Sequence, residues 1–118
     1  MVWGLIETTE ALQNLRDILG QGLDAVGLGS FDLSMAMGFE GDTEHPDLKK
    51  EVNCAAEIVL KEGIDILVTI FALELDVIGE SARFWKEKGC RLITTTSDRA
   101  ILCHTHQKMF NLLQDLAT

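Results

Sequence analysis

The sequence predicts a parallel α/β fold, and three observations lead there. Strand-like segments begin near residues 2, 24, 65 and 91, and each is followed by a stretch with helical periodicity. The third, Asp65–Phe71 (Asp-Ile-Leu-Val-Thr-Ile-Phe), is almost continuously apolar, as suits a strand covered on both faces. The first two strands are each closed by an acidic residue, Glu7 after Val-Trp-Gly-Leu-Ile and Asp32 after Ala-Val-Gly-Leu-Gly-Ser. Strand–helix alternation of this kind specifies parallel strands joined by right-handed crossovers.

Each element has a local cause. The first strand, 2–6, leads into a helix over 9–19, which Thr8 or Thr9 caps. Leu12, Leu15, Ile18 and Leu19 form its apolar stripe, and Gly20 and Gly22 end it. The second strand is 24–29. A loop is expected from Ser30 to His45, interrupted by Gly38 and Gly41. Pro46 suits the first position of a helix running to about Glu62, because a first-turn residue needs no intrahelical N–H bond. Val52, Ala55, Ala56, Val59 and Leu60 mark the buried side of that helix, and Gly63 closes it.

The third strand, 65–71, precedes a helix over 74–88 that carries Gly79 internally and stops at Gly89. The fourth strand is 91–96. A last helix starts near Ser97, with Asp98 also suited to the cap, and ends near Ala117. Leu102, Met109, Phe110, Leu113 and Leu116 are expected to pack inward. One proline, no low-complexity stretch and no linker-like segment give a single domain over 1–118.

Composition narrows the function classes. Hydrophobic residues make up 47% of 118 positions, enough for a packed core. No apolar run reaches membrane-spanning length, and the N-terminus lacks the basic and apolar regions of a secretory signal. The net charge of −9 argues against nonspecific binding to nucleic acid or anionic membranes, which relies on basic patches. Three cysteines, Cys54, Cys90 and Cys103, include no Cys-x-x-Cys pair. They read as small buried hydrophobes of a chain kept in a reducing cytoplasm.

Glu7 and Asp32 are the leading functional candidates. Neighbouring parallel strands present their carboxyl ends side by side, at the face where ligands bind in such folds. Two carboxylates there suit a hard divalent cation. The plain alternative is that they cap helices or sit in turns. His104 and His106 stand two apart in a predicted helix and point to different faces, so shared ligation of a metal is not expected. His45 reads as loop or cap structure, and Glu40, Asp42 and Glu44 as a solvated acidic loop without calcium-site spacing. Trp3 and Trp85 read as core or interface anchors. No phosphate-binding glycine loop and no Gly-x-Ser-x-Gly elbow is present.

These residues also carry a family resemblance. Leu5-Ile6-Glu7-Thr8, Ala11-Leu12 and Asn14-Leu15, followed by Gly22-Leu23-Asp24 and Gly29-Ser30-Phe31-Asp32-Leu33-Ser34, resemble segments of the HpcH/HpaI aldolases. Met37-Gly38, His45-Pro46 and Ser97-Asp98 extend the likeness more weakly. The family fold is an eight-stranded TIM barrel, so the resemblance implies the second, (βα)4 half of such a barrel, with open edges and an uncovered inner face.

It also implies that Glu7 and Asp32 bind magnesium or manganese, which holds a pyruvate-like 2-oxo acid and stabilises its enolate. The segment Gly29, Ser30, Phe31 and Asp32 would receive the substrate carboxylate through the amides of Phe31 and Asp32. The family's catalytic arginine and histidine base lie in the first half, and no segment here matches them. Leu5 replaces a common glutamine, and Ser30 replaces a proline. The implied activity is part of a metal-dependent retro-aldol cleavage. The alternatives are a non-catalytic half-barrel that pairs with a second copy or a complementing half, and a small flavodoxin-like domain, which needs a reversal in strand order.

Overall fold

A computed structural model describes residues 1–117; Thr118, the last residue of the expected domain, lies outside the described residues. Four strands form one sheet: β1 (Trp3–Ile6), β2 (Ala25–Leu28), β3 (Asp65–Ile70) and β4 (Leu92–Thr95). All neighbours are parallel and the order is β1-β2-β3-β4. The order never reverses, which removes the flavodoxin-like alternative.

The helices are α1 (Thr9–Gln13), α2 (Leu15–Leu19), α3 (Ser30–Ala36), α4 (Pro46–Lys61), α5 (Leu75–Glu87) and α6 (Asp98–Ala117). Thr8 caps α1 through its hydroxyl, which accepts from the Ala11 N–H at 3.1 Å. His45 caps α4, and Pro46 occupies the first turn as expected. Gly63 follows α4 with φ of +73°, a conformation that favours glycine.

The core lies on one face of the sheet. Ile6, Val26, Leu28, Ile66 and Val68 meet Leu15, Leu19, Leu33, Leu48, Val52 and Val59 from the helices, all buried. Strand alternation sends the other side chains to the opposite face, which no helix among the described residues covers. There Trp3 is 47% and Leu5 58% exposed. Leu5, Gly27, Leu67 and Leu92 share one row of that face by register. Thr69 and Thr94 share the next row, their hydroxyls 2.9 Å apart.

Four expectations need correction. The segment after β2 is not loop throughout, since α3 occupies its first seven residues. The expected 9–19 helix divides at Asn14, which ends α1 and begins α2. The apolar residues of α6 do not pack inward: Leu102, Met109, Phe110, Leu113 and Leu116 are 56–76% exposed, because β4 is the edge of the described sheet and leaves α6 no neighbouring strand to cover. Of the three cysteines only Cys90 is buried, while Cys54 and Cys103 are exposed on helices.

Candidate functional site

Glu7 stands one residue beyond β1. Ile6 is 1% exposed and points into the core, so alternation turns Glu7 to the uncovered face with Leu5. The β1–β2 ladder continues to this level, because the Gly29 N–H donates to the Ile6 carbonyl at 3.0 Å. Gly29 is then the neighbour of Glu7. A Cβ placed on Gly29 would stand 2.8 Å from Glu7 Cγ and 3.3 Å from Oε1. The glutamate side chain therefore lies over the glycine, directed from β1 toward the start of α3. Only glycine leaves it that room.

Asp32 is in the first turn of α3, the helix that follows β2 directly. Leu33 and Ser34 are fully buried and fasten α3 to the core. Two local bonds hold its start: the Leu33 N–H donates to Gly29 O at 2.8 Å, and Ser34 Oγ donates to Phe31 O at 2.6 Å. With Leu33 and Ser34 turned inward, Phe31 and Asp32 are left exposed on the outer side of the helix. The N–H groups of Ser30, Phe31 and Asp32 have no acceptor within the helix and are available to an anion. Phe31 packs beside Phe71 from the end of β3, with ring centroids 6.5 Å apart.

Among the described residues no group of three or more His, Cys, Asp and Glu side chains forms a metal cage. Two carboxylates are nevertheless a fitting donor set for magnesium or manganese, which take one or two protein oxygens and leave other positions to water and substrate. The bare Gly29 cradle beneath Glu7 agrees with that use of the side chain.

The other candidates have structural roles. His45 Nδ1 accepts from the Asp47 N–H at 3.2 Å, and its ring stacks on Phe39 at 3.7 Å between centroids. His104 lies 3.2 Å from Glu74, whereas His106 is exposed on another face of α6. In the acidic loop, Asp42 Oδ1 accepts from the Glu44 N–H and Glu44 pairs with Lys49. Ser97 Oγ, and not Asp98, accepts from the Ala100 N–H at the start of α6.

Two further features escaped the sequence reading. A cleft of about 600 Å³ opens between α4 and α5, lined by Leu48, Val52, Ile70, Phe84 and Trp85. It reaches Ser30 and contains neither Glu7 nor Asp32, so it is separate from the carboxylate pair. Nothing in the periodicity of α4 or α5 announces a gap between them. At the opposite end of the sheet, Arg91 forks onto Asp65, with Nε–Oδ1 at 2.8 Å and Nη2–Oδ2 at 2.6 Å. That bidentate bond holds the Asp65 carboxyl below its usual range and raises Arg91. Burial pushes the Cys90 thiol up, partly offset by its hydrogen bond at Leu92.

Parallel strands in sequential order, with the core and helices packed on one face, define part of an α/β barrel. The family model described as HpcH/HpaI aldolase/citrate lyase matches residues 1–90, and the chain belongs to that family. It is 39% identical over 59 residues to a 4-hydroxy-2-oxo-heptane-1,7-dioate aldolase from Escherichia coli (strain ATCC 8739), a stretch covering 49% of this chain and 22% of that protein. Over 51 residues it is 45% identical to the protein of the same name from Salmonella paratyphi B, covering 42% of this chain and 19% of that one. Among solved structures, an HpcH/HpaI aldolase from Desulfitobacterium hafniense superimposes with a TM-score of 0.82 at 25% identity, over 97% of this chain and 42% of that one. The citrate synthase SbnG gives a TM-score of 0.79 at 22% identity, over the whole of this chain and 46% of that one, a likeness of fold. The chain thus spans less than half the length of these relatives.

Proposed function

We propose that this chain carries the metal and oxo-acid platform of a carbon–carbon lyase. The whole reaction would be retro-aldol cleavage of a 4-hydroxy-2-oxo acid to pyruvate and an aldehyde, in the cytoplasm. The observation that supports this most is Glu7 laid over Gly29, three residues ahead of Asp32 in the first turn of the next helix.

Each residue then has a task. Glu7 and Asp32 hold a magnesium or manganese ion through oxygen donors. The ion supplies positive charge where the cleaved bond leaves an oxyanion. Gly29 keeps the backbone low enough for Glu7 to cross it. Ser30 begins the helix, and the N–H groups of Phe31 and Asp32 receive the substrate carboxylate. Leu5, where aldolases commonly have glutamine, makes that side of the platform apolar. The general base and the arginine of the complete enzymes have no counterpart here, so turnover by this chain alone is expected to be weak or absent.

Manganese binding to the wild-type chain and to Asp32→Ala tests the reading. Saturable binding that weakens by about 100-fold or more in the variant is the expected outcome. Equal affinity in the two proteins would remove Asp32 from the site.

A further inference from the structure

We infer that Thr69 and Thr94 form a polar subsite beside the metal platform, selecting an oxo acid with a hydroxyl on the carbon next to its keto group over one with a plain methyl there. The inference rests on the platform reading and names the class of ligand that the platform takes.

Strand register places the pair in the row of the proposed metal ligand. Leu5, Gly27, Leu67 and Leu92 are partners across the four strands. Two residues further along the chain from each stand Glu7, Gly29, Thr69 and Thr94, and alternation turns all four positions to the face opposite the helices. Thr69 and Thr94 are themselves register partners. Glu7 lies over the bare Gly29, with Oε1 3.3 Å from where a Cβ would stand. Its carboxylate is therefore about one strand spacing, roughly 5 Å, from Thr69. An ion about 2 Å from that carboxylate, with a ligand oxygen about 2 Å beyond, spans the gap. Phe71, two residues past Thr69, brings its ring to 6.5 Å from that of Phe31, whose N–H belongs to the proposed carboxylate seat.

The row below is apolar, as the interior layers of a barrel ordinarily are. In the row of Glu7, β3 and β4 carry hydroxyls where valine would supply the same shape and strand preference. The two hydroxyl oxygens are 2.9 Å apart. Thr94 Oγ1 donates to the Val68 carbonyl at 3.4 Å. The Thr69 proton therefore goes to Thr94 Oγ1, and Thr69 Oγ1 keeps its lone pairs. Thr94 is the positioning residue, and Thr69 presents an acceptor beside the platform.

An oxo acid held through its carboxylate and keto oxygen has one substituent left, the one on the keto carbon. A hydroxyl there donates to Thr69 Oγ1. A methyl there displaces water from that oxygen and gives no hydrogen bond in return. A site built around a hydroxyl rejects the analogue lacking it for this reason.

Competition against oxalate on the manganese-loaded full chain, followed by electron paramagnetic resonance, tests the inference with pyruvate and hydroxypyruvate as probes. Hydroxypyruvate is expected to bind about tenfold more tightly than pyruvate, the worth of one hydrogen bond. Thr69→Val is expected to lose that roughly tenfold preference, and Thr69→Ser, which keeps the hydroxyl, to retain it. Both acids are compared in the same metal-loaded protein, so a change in folding or in metal affinity cancels from the ratio. Equal affinity for the two acids in the wild type, or a preference that survives Thr69→Val, would overturn the inference and leave the platform standing, since oxalate still binds. A wild type that binds neither oxalate nor pyruvate would overturn the platform and the subsite with it.

Discussion

At the scale of single residues, the placement of Glu7 depends on what Gly29 lacks. A methyl group there would meet Glu7 Cγ at 2.8 Å, below any normal contact distance. Gly29→Ala is therefore expected to push the glutamate aside and weaken manganese binding roughly tenfold, while circular dichroism stays unchanged. The positions of Glu7 after β1 and of Asp32 after β2 were legible in the sequence, because each acid follows an apolar strand-like run. The glycine's role was only partly legible. Gly29 was expected in the segment that receives the substrate carboxylate, whereas the neighbour that needs its bare backbone is a side chain on the adjacent strand, which no one-dimensional pattern displays. Asp65 offers a second residue-scale test. Its carboxyl is held low by Arg91, so its contribution to stability is present above the ordinary carboxylate range and is lost as pH falls through the depressed folded value. Arg91→Gln is expected to return the Asp65 titration, followed by NMR, toward the usual value near 3.9.

At the scale of elements, β3 is the firmest part of the fold. Ile66 is fully buried, and the strand has partners on both sides. Ile66→Ala is expected to cost about 2–5 kcal/mol in urea unfolding, through lost burial and the cavity left behind. All four strands and α4 were legible because apolar, β-branched runs and a proline start are strong local signals. α3 was not, because seven residues give fewer than two full turns and Gly38 and Gly41 lie close behind. In α1–α2 the apolar stripe was read as one helix, yet Asn14 interrupts it by turning its side chain to the Glu10 carbonyl at 3.0 Å. The stripe of α6 was recognised, but an apolar stripe does not say whether its partner belongs to the same chain.

At the scale of the molecule, one sheet face is packed and the other is bare. That asymmetry sorts the cysteines. Cys90 is sealed in the core, with its thiol donating to the Ile66 carbonyl at 3.2 Å and its ionisation suppressed by burial, while Cys54 stands in solvent. A thiol reagent at neutral pH is expected to label Cys54 at the rate of an open thiol and Cys90 only on global unfolding. Prompt labelling of Cys90 would show that the core opens far more readily than its packing implies. The half-barrel architecture was legible only through the family resemblance, since strand–helix alternation alone is shared by open and closed sheets.

The central claim is that Glu7 and Asp32 form a metal platform that also holds a 2-oxo acid. Manganese titration followed by electron paramagnetic resonance, with and without oxalate as a pyruvate-like bidentate probe, tests it most directly. The account predicts saturable binding that oxalate tightens, with both effects lost in Glu7→Gln and in Asp32→Ala. Binding that oxalate leaves unchanged, or that survives both substitutions, would contradict it.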